Sequence, residues 1–225
     1  MDTEALLLTL RLALTTTIVL MLLALPIAGW IALGHSRIRP FAEALVALPL
    51  ILPPTVIGFY LLVWLGPLTS LGRALISLIG HPLAFSFSGL VVGSVVYSLP
   101  FAVQPLIAGL RAVDHRYLDA AAVLGASPLR RFRSIALPLA RHSVLTASVL
   151  TFTHTVGEFG VVLMLGGSIP GRTRTISISL YDQVQNFDYA AANRTALTLL
   201  ALSAIALALI YARPWRTRTE ERLRG

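Results

Sequence analysis

Asp119-Ala120-Ala121-Ala122-Val123-Leu124-Gly125-Ala126-Ser127-Pro128-Leu129-Arg130-Arg131-Phe132-Arg133-Ser134-Ile135-Ala136-Leu137-Pro138 is the stretch on which the reading of this chain turns. It is the most charged interior stretch of an otherwise apolar sequence, and long apolar segments flank it. It predicts helix, turn, helix. Asp119 to Leu124 is a run of helix formers, and Gly125 can take the left-handed backbone that ends a helix. Ser127 can cap a second helix, with Pro128 at the first position, where a missing N–H costs nothing. Leu129, Phe132 and Ala136 make an i, i+3, i+7 apolar stripe, while Arg130, Arg131 and Arg133 lie off it.

The surroundings set the environment of this charged island. Of 225 residues, 56% are hydrophobic and only 12% charged, and mean hydropathy is +0.79. Such a composition excludes a soluble domain and predicts an all-α integral membrane protein with little mass outside the bilayer. The formal charge of +8 does not point to nucleic acid, because the arginines cluster beside apolar spans. All 18 basic residues are arginine, and there is no cysteine, so disulfides, thiol catalysis and cysteine-ligated metals are out. Asp2 and Glu4 stand where a cleavable signal would carry positive charge, and the apolar run that follows is too long for one.

Five spans are expected, at about residues 6–33, 41–65, 86–110, 143–165 and 195–212. The loop 111–142 and the tail 213–225 lie on one side, and 1–225 forms a single transmembrane domain. The second span carries Pro49, Pro53, Pro54 and Gly58, which predicts a kinked packing helix or a broken helix lining a pathway. Two short amphipathic helices are expected at the opposite interface. One carries Leu68, Leu71, Leu75 and Leu78, the other Ile176, Leu180, Val184 and Phe187. With the 111–142 loop inside, thirteen arginines fall in inner segments and four in outer ones, which orients the chain N-out and C-in.

Little in the chain suggests chemistry of its own. Glu158, in Gly157-Glu158-Phe159-Gly160, is an intramembrane carboxylate. It is either hydrogen-bonded at a helix contact or dimer seam, or part of a gate. His154 lies four residues earlier and could pair with it. The pair is too small a set to hold a metal, and HExxH is absent. No phosphate-binding GxxxxGK[ST] motif occurs, so ATP and Mg, if used, are bound by a partner.

The opening stretch resembles the EAA loop of ABC importer permeases: Asp119-Ala120-Ala121, then Gly125, Ile135, Leu137 and Pro138 hold its spacing, with Asp119 in place of Glu. Three further segments look like the molybdate importer permeases. These are Leu48 to Pro54 with Gly58, Gly157 to Gly160, and Ile169-Pro170-Gly171-Arg172-Thr173-Arg174-Thr175-Ile176. The resemblance implies a multi-pass permease of the cell inner membrane that is no enzyme and binds no cofactor. It implies a homodimer, a separate ABC ATPase subunit and an extracytoplasmic molybdate-binding protein. By the same resemblance Leu118, Leu124, Leu129 and Phe132 dock on the ATPase. Pro49, Pro53, Pro54, Gly58, Gly157, Glu158 and Gly160 are candidate pathway or gate residues. Arg172 and Arg174 contact the oxyanion or the binding protein, or are simply solvated. Sulfate, thiosulfate and tungstate remain alternative cargoes. A secondary carrier is the more remote reading, disfavoured by five spans without repeated halves.

Overall fold

The computed structural model describes residues 2–211, and within them every regular element is helical. Helix α1 covers Thr3–Leu33. The Asp2 side chain accepts from the Ala5 N–H at 3.0 Å and caps it, with Glu4 in the first turn favouring the dipole. Thirty-one residues reach about 46 Å, more than the roughly 30 Å hydrocarbon core.

The second apolar segment does not form one rod. Helix α2 (Arg39–Ala47) runs into a 3-10 turn at Leu48–Leu50, and α3 (Pro54–Leu65) departs at 105°. Prolines explain the break. Pro53 and Pro54 have no N–H to continue the ladder, and Pro54 then suits the first position of a new helix. Helix α4 (Ser70–Ile79) follows, capped by Thr69 and closed by Gly80 at φ +85°. Helix α5 (Phe87–Arg111) begins at the Ser86 cap and holds Pro100 and Pro105 without breaking.

Helices α6 (His115–Val123), α7 (Pro128–Arg131) and α8 (Leu137–Leu139) form the charged stretch, and a π-helical turn over Phe132–Ala136 joins the last two. Pro138 supplies the cause. It cannot donate to the Ser134 carbonyl, and the Leu137 N–H reaches Phe132 instead. Helix α9 (Arg141–Gly157) and the short α10 (Gly160–Gly166) form a second broken pair, followed by α11 (Ile176–Gln185) and α12 (Tyr189–Tyr211). Helices α1, α5 and α12 are long and apolar enough to cross a membrane, and counting each bent pair as one span brings the total to as many as five.

Helices α1, α5 and α9 make the core. Ala24, Ala28 and Ile31 of α1 meet Ala102, Val103, Leu106 and Leu110 of α5 and Ala147 of α9, all buried. Alanines four apart on α1 let these backbones approach, as membrane helix contacts require. The two breaks lie side by side. A Cβ at Gly160 would stand 2.8 Å from Pro54 Cβ, and one at Gly58 would stand 2.7 Å from Met164 Cβ. Helices α3 and α10 therefore run parallel from adjacent starts, each covering the irregular backbone of the other.

The bundle has two distinct ends. At one, Arg174 pairs with Asp2 at 3.0 Å, the Ile176 N–H donates to Thr9 Oγ1 at 2.8 Å, and Arg11 lies over Phe87. At the other, Phe132 packs on Gly29, and Arg111 bonds both oxygens of Glu43, at 3.0 and 2.6 Å.

Two expectations need correcting. The first turn of α11 does not lie on the surface as the stripe predicts: Ile176 is fully buried, because its N–H reaches into α1 and Ser177 Oγ donates to the Val156 carbonyl, whereas Val184 and Phe187 further along are exposed. Helix α12 starts at Tyr189 rather than near 195, because Asp188 Oδ1 accepts from the Ala191 N–H and caps it. Arg194 thus sits on a helix, not in a loop. The tail at 213–225, with its arginines, lies outside the described residues.

Candidate functional site

The charged stretch folds as its residues dictate. Gly125 stands at φ +82°, its N–H donates to the Ala122 carbonyl at 2.9 Å, and Ala126 N–H reaches Ala121 at 2.9 Å. These bonds satisfy carbonyls that the end of α6 leaves free. Ser127 Oγ accepts from the Arg130 N–H at 3.3 Å, starting α7.

The turn sorts the apolar side chains into two sets. Val123 is 89% exposed, Leu124 86%, Leu129 63% and Tyr117 59%, whereas Leu118 is 7% exposed. Leu118 belongs to the main core and Phe132 packs against that core, its ring beside Gly29. The expectation that Leu118 and Phe132 reach outward is therefore corrected. Leu118 lies one residue out of phase with Tyr117, Ala120 and Leu124, so α6 turns it inward. Tyr117 and Val123 join the outward set instead, and helical phase was the signal for both. Asp119, Ala120 and Pro138 are exposed, while Ala121, Ile135 and Leu137 are half-buried. The result is an apolar knob with arginines on its flanks, at the end of the bundle opposite Asp2.

The candidate pathway residues divide. Pro54, Gly58 and Gly160 come together at the α3–α10 contact. Pro49 is buried in the 3-10 turn, which packs on α5, and Pro53 is exposed at the α3 cap. Gly157 is exposed with open space beside it. Glu158 is 4% exposed and its carboxylate lies beside the Ser94 hydroxyl; Thr151 Oγ1 is likewise buried, with no hydrogen-bond partner among the described residues.

The expected His154–Glu158 pair does not form. Helix α9 ends at Gly157 and Glu158 is extended, at φ −67° and ψ 136°, so the four-residue helical spacing no longer applies. His154 Nδ1 lies 2.9 Å from Ser98 Oγ, and its ring stacks on Phe101 at 3.9 Å. No group of three or more His, Asp or Glu suited to a metal occurs among the described residues.

Arg172 and Arg174 have different surroundings. Arg172 is exposed and lines a cleft. Arg174 is held by Asp2, which also accepts from Ser179 Oγ at 3.3 Å. Arg174 thus fastens the 169–179 segment to the start of α1. Asp2→Asn and Arg174→Gln are each expected to lower stability by about 1 kcal/mol. The double variant should be no worse than either single one. Thermal unfolding in detergent of the three variants checks this, and additive losses would show that the two residues act separately.

Comparison with known proteins places this geometry. Residues 24–218 match the model of the binding-protein-dependent transport system inner membrane component family. The chain belongs to this family. It is 47% identical over 210 residues to the molybdenum transport system permease protein ModB of Azotobacter vinelandii, covering 93% of each chain. It is 36% identical to the ModB of Haemophilus influenzae over 89% of this chain and 87% of that one. Among solved structures, a chain of the MetNI methionine ABC transporter shares the fold at a TM-score of 0.74 and 15% identity, covering 94% of this chain and 93% of that one. A chain of a bacterial alginate ABC transporter aligns at 0.73 and 18% identity, covering 96% of this chain and 78% of that one. The permease is therefore a transport component of the inner membrane and not an enzyme.

Proposed function

We propose that this permease forms the translocation pathway of an ATP-driven molybdate importer. Two copies pair, each crossing the membrane five times as one domain, N-terminus out and C-terminus in. Two copies of a partner ATPase bind ATP and Mg, and an extracytoplasmic binding protein delivers the anion. The observation that carries this reading is the apolar knob of Tyr117, Val123, Leu124 and Leu129. In water such a surface is a docking surface, and it stands at the end of the bundle opposite Asp2. When ATP closes the ATPase dimer, the two knobs are drawn together and the spans tilt from inward-open to outward-open. Molybdate as cargo is supported by the names of the relatives. Tungstate, of nearly the same size and charge, is expected to compete.

The test is uptake of labelled molybdate into vesicles holding the permease and its ATPase, with the binding protein added outside. Uptake should require ATP and the binding protein, and tungstate should suppress it more strongly than sulfate. Uptake without the ATPase would favour a secondary carrier and overturn the reading. Stronger suppression by sulfate would reassign the cargo.

A further inference from the structure

At the Asp2 end, a cleft of about 710 Å³ opens between α1, the start of α5 and the turn at Gly171–Arg172. Its walls carry Arg11, Arg172, His81, Ser86 and Ser88 as polar groups, with Glu4 as the one carboxylate among its lining residues. Leu7, Leu8 and Phe87 are the apolar part. Neither Arg11 nor Arg172 has an ion-pair partner among the described residues. Arg11 lies over the Phe87 ring, 4.6 Å from its centroid.

The position of Arg11 on α1 is the telling fact. Leu7, Leu14, Ile18 and Leu22 are all at least half exposed, and at spacings of four, three, four and four residues Arg11 falls on the same stripe. On a membrane span an exposed apolar stripe of this length suits lipid. A guanidinium among lipid tails is costly, and intramembrane arginines take partners. Centred on a hydrocarbon core of about 30 Å, α1 extends roughly 8 Å beyond it at each end. Arg11, about 12 Å along the helix, sits just inside that boundary, where an arginine reaches outward to the phosphate level. The reach brings it toward Arg172 and the two serine hydroxyls.

We propose that this cleft binds the phosphate of an anionic phospholipid, with Arg11 and Arg172 flanking and donating to it, and the acyl chain lying along Leu7 and Leu14. Glu4 at the rim disfavours a second negative charge, which suits a lipid with one phosphate better than one with several. The inference rests only on the chain spanning a bilayer and is independent of the cargo. An oxyanion from solution has the same chemistry, so the experiment separates the two.

The permease would be purified from vesicles of phosphatidylcholine with phosphatidylglycerol, and retained lipid counted by native mass spectrometry. Wild type should keep phosphatidylglycerol preferentially. R11Q and R172Q should each lower that retention about fivefold, the scale of one exposed charge contact, while R73Q on α4 leaves it unchanged. Both substituted side chains are exposed, and circular dichroism of the variants should match wild type. Equal retention in wild type and both variants overturns the proposal. So does loss of phosphatidylcholine and phosphatidylglycerol to the same degree. In a second arm, molybdate and inorganic phosphate are titrated onto permease in phosphatidylcholine alone. Saturable binding that R11Q and R172Q abolish would assign the cleft to a free oxyanion and overturn the lipid reading.

Discussion

Gly125→Val is expected to lower molybdate uptake about tenfold while leaving membrane insertion and the ATPase activity of the assembled transporter near wild type. Gly125 stands at φ +82° with no atom within 4 Å of where a Cβ would be. The penalty is therefore conformational and not steric crowding. A residue other than glycine in the left-handed region costs about 1–2 kcal/mol, and a β-branched one is the hardest to place there. The turn relieves that strain by opening. Opening moves Val123 and Leu124, on one side of Gly125, away from Leu129 on the other, and the knob loses its shape. A few kcal/mol cannot unfold a bundle whose core lies elsewhere, so insertion survives. Gly125→Asn supplies the control, since asparagine tolerates this backbone, and it should keep most of the uptake. Paired measurement of ATP hydrolysis and uptake in vesicles decides the matter. Valine and wild type transporting equally would remove Gly125 from the coupling argument.

Gly58→Ala is expected to destabilise the permease by about 1–3 kcal/mol, the range for overpacking a tight contact. The added methyl would lie 2.7 Å from Met164 Cβ and 3.1 Å from Val161 Cα. Neither atom is the free end of a flexible side chain, so a helix has to move. Helix α10 has only seven residues and begins beside Pro54, so its displacement also uncovers the broken backbone at both helix starts. Combining Gly58→Ala with Met164→Gly should recover part of the loss. The Val161 contact remains, and a glycine inside a helix costs about 1 kcal/mol. Melting in detergent and yield of folded protein are the readouts. A neutral Gly58→Ala would mean that the α3–α10 contact is looser than its geometry implies.

The helix–turn–helix over 119–138 was readable because its determinants are local. Gly125, Ser127 and Pro128 act on their own neighbours, and caps need no tertiary partner. The break in the second apolar segment was readable for the same reason, since Pro53 and Pro54 lack the N–H whatever surrounds them. What escaped depended on contacts between distant segments. Apolar periodicity marks Leu118 and Leu124 alike, yet one is buried in the main core and the other is exposed. Helix α11 has an amphipathic face in sequence, but Thr9 supplies an acceptor that draws its first turn into the bundle. The His154–Glu158 pairing failed on a local point that was legible. Glycines on both sides of the Glu158-Phe159 pair interrupt the helix, and a four-residue spacing has meaning only inside an unbroken one.

The clasp joining Asp2 and Thr9 to Arg174 and Ile176 bears on how the protein is made. Thr9 and Ile176 are 167 residues apart. At about 5–20 residues per second, the first helix waits on the order of ten to thirty seconds between its own emergence and that of the segment that fastens it. During that interval the Asp2 end of α1 has nothing of the 169–179 segment to hold it. Chains that stall before Ile176 would hold α1 packed on α5 and α9 but unfastened at its Asp2 end, and would be the ones a membrane quality-control protease meets first.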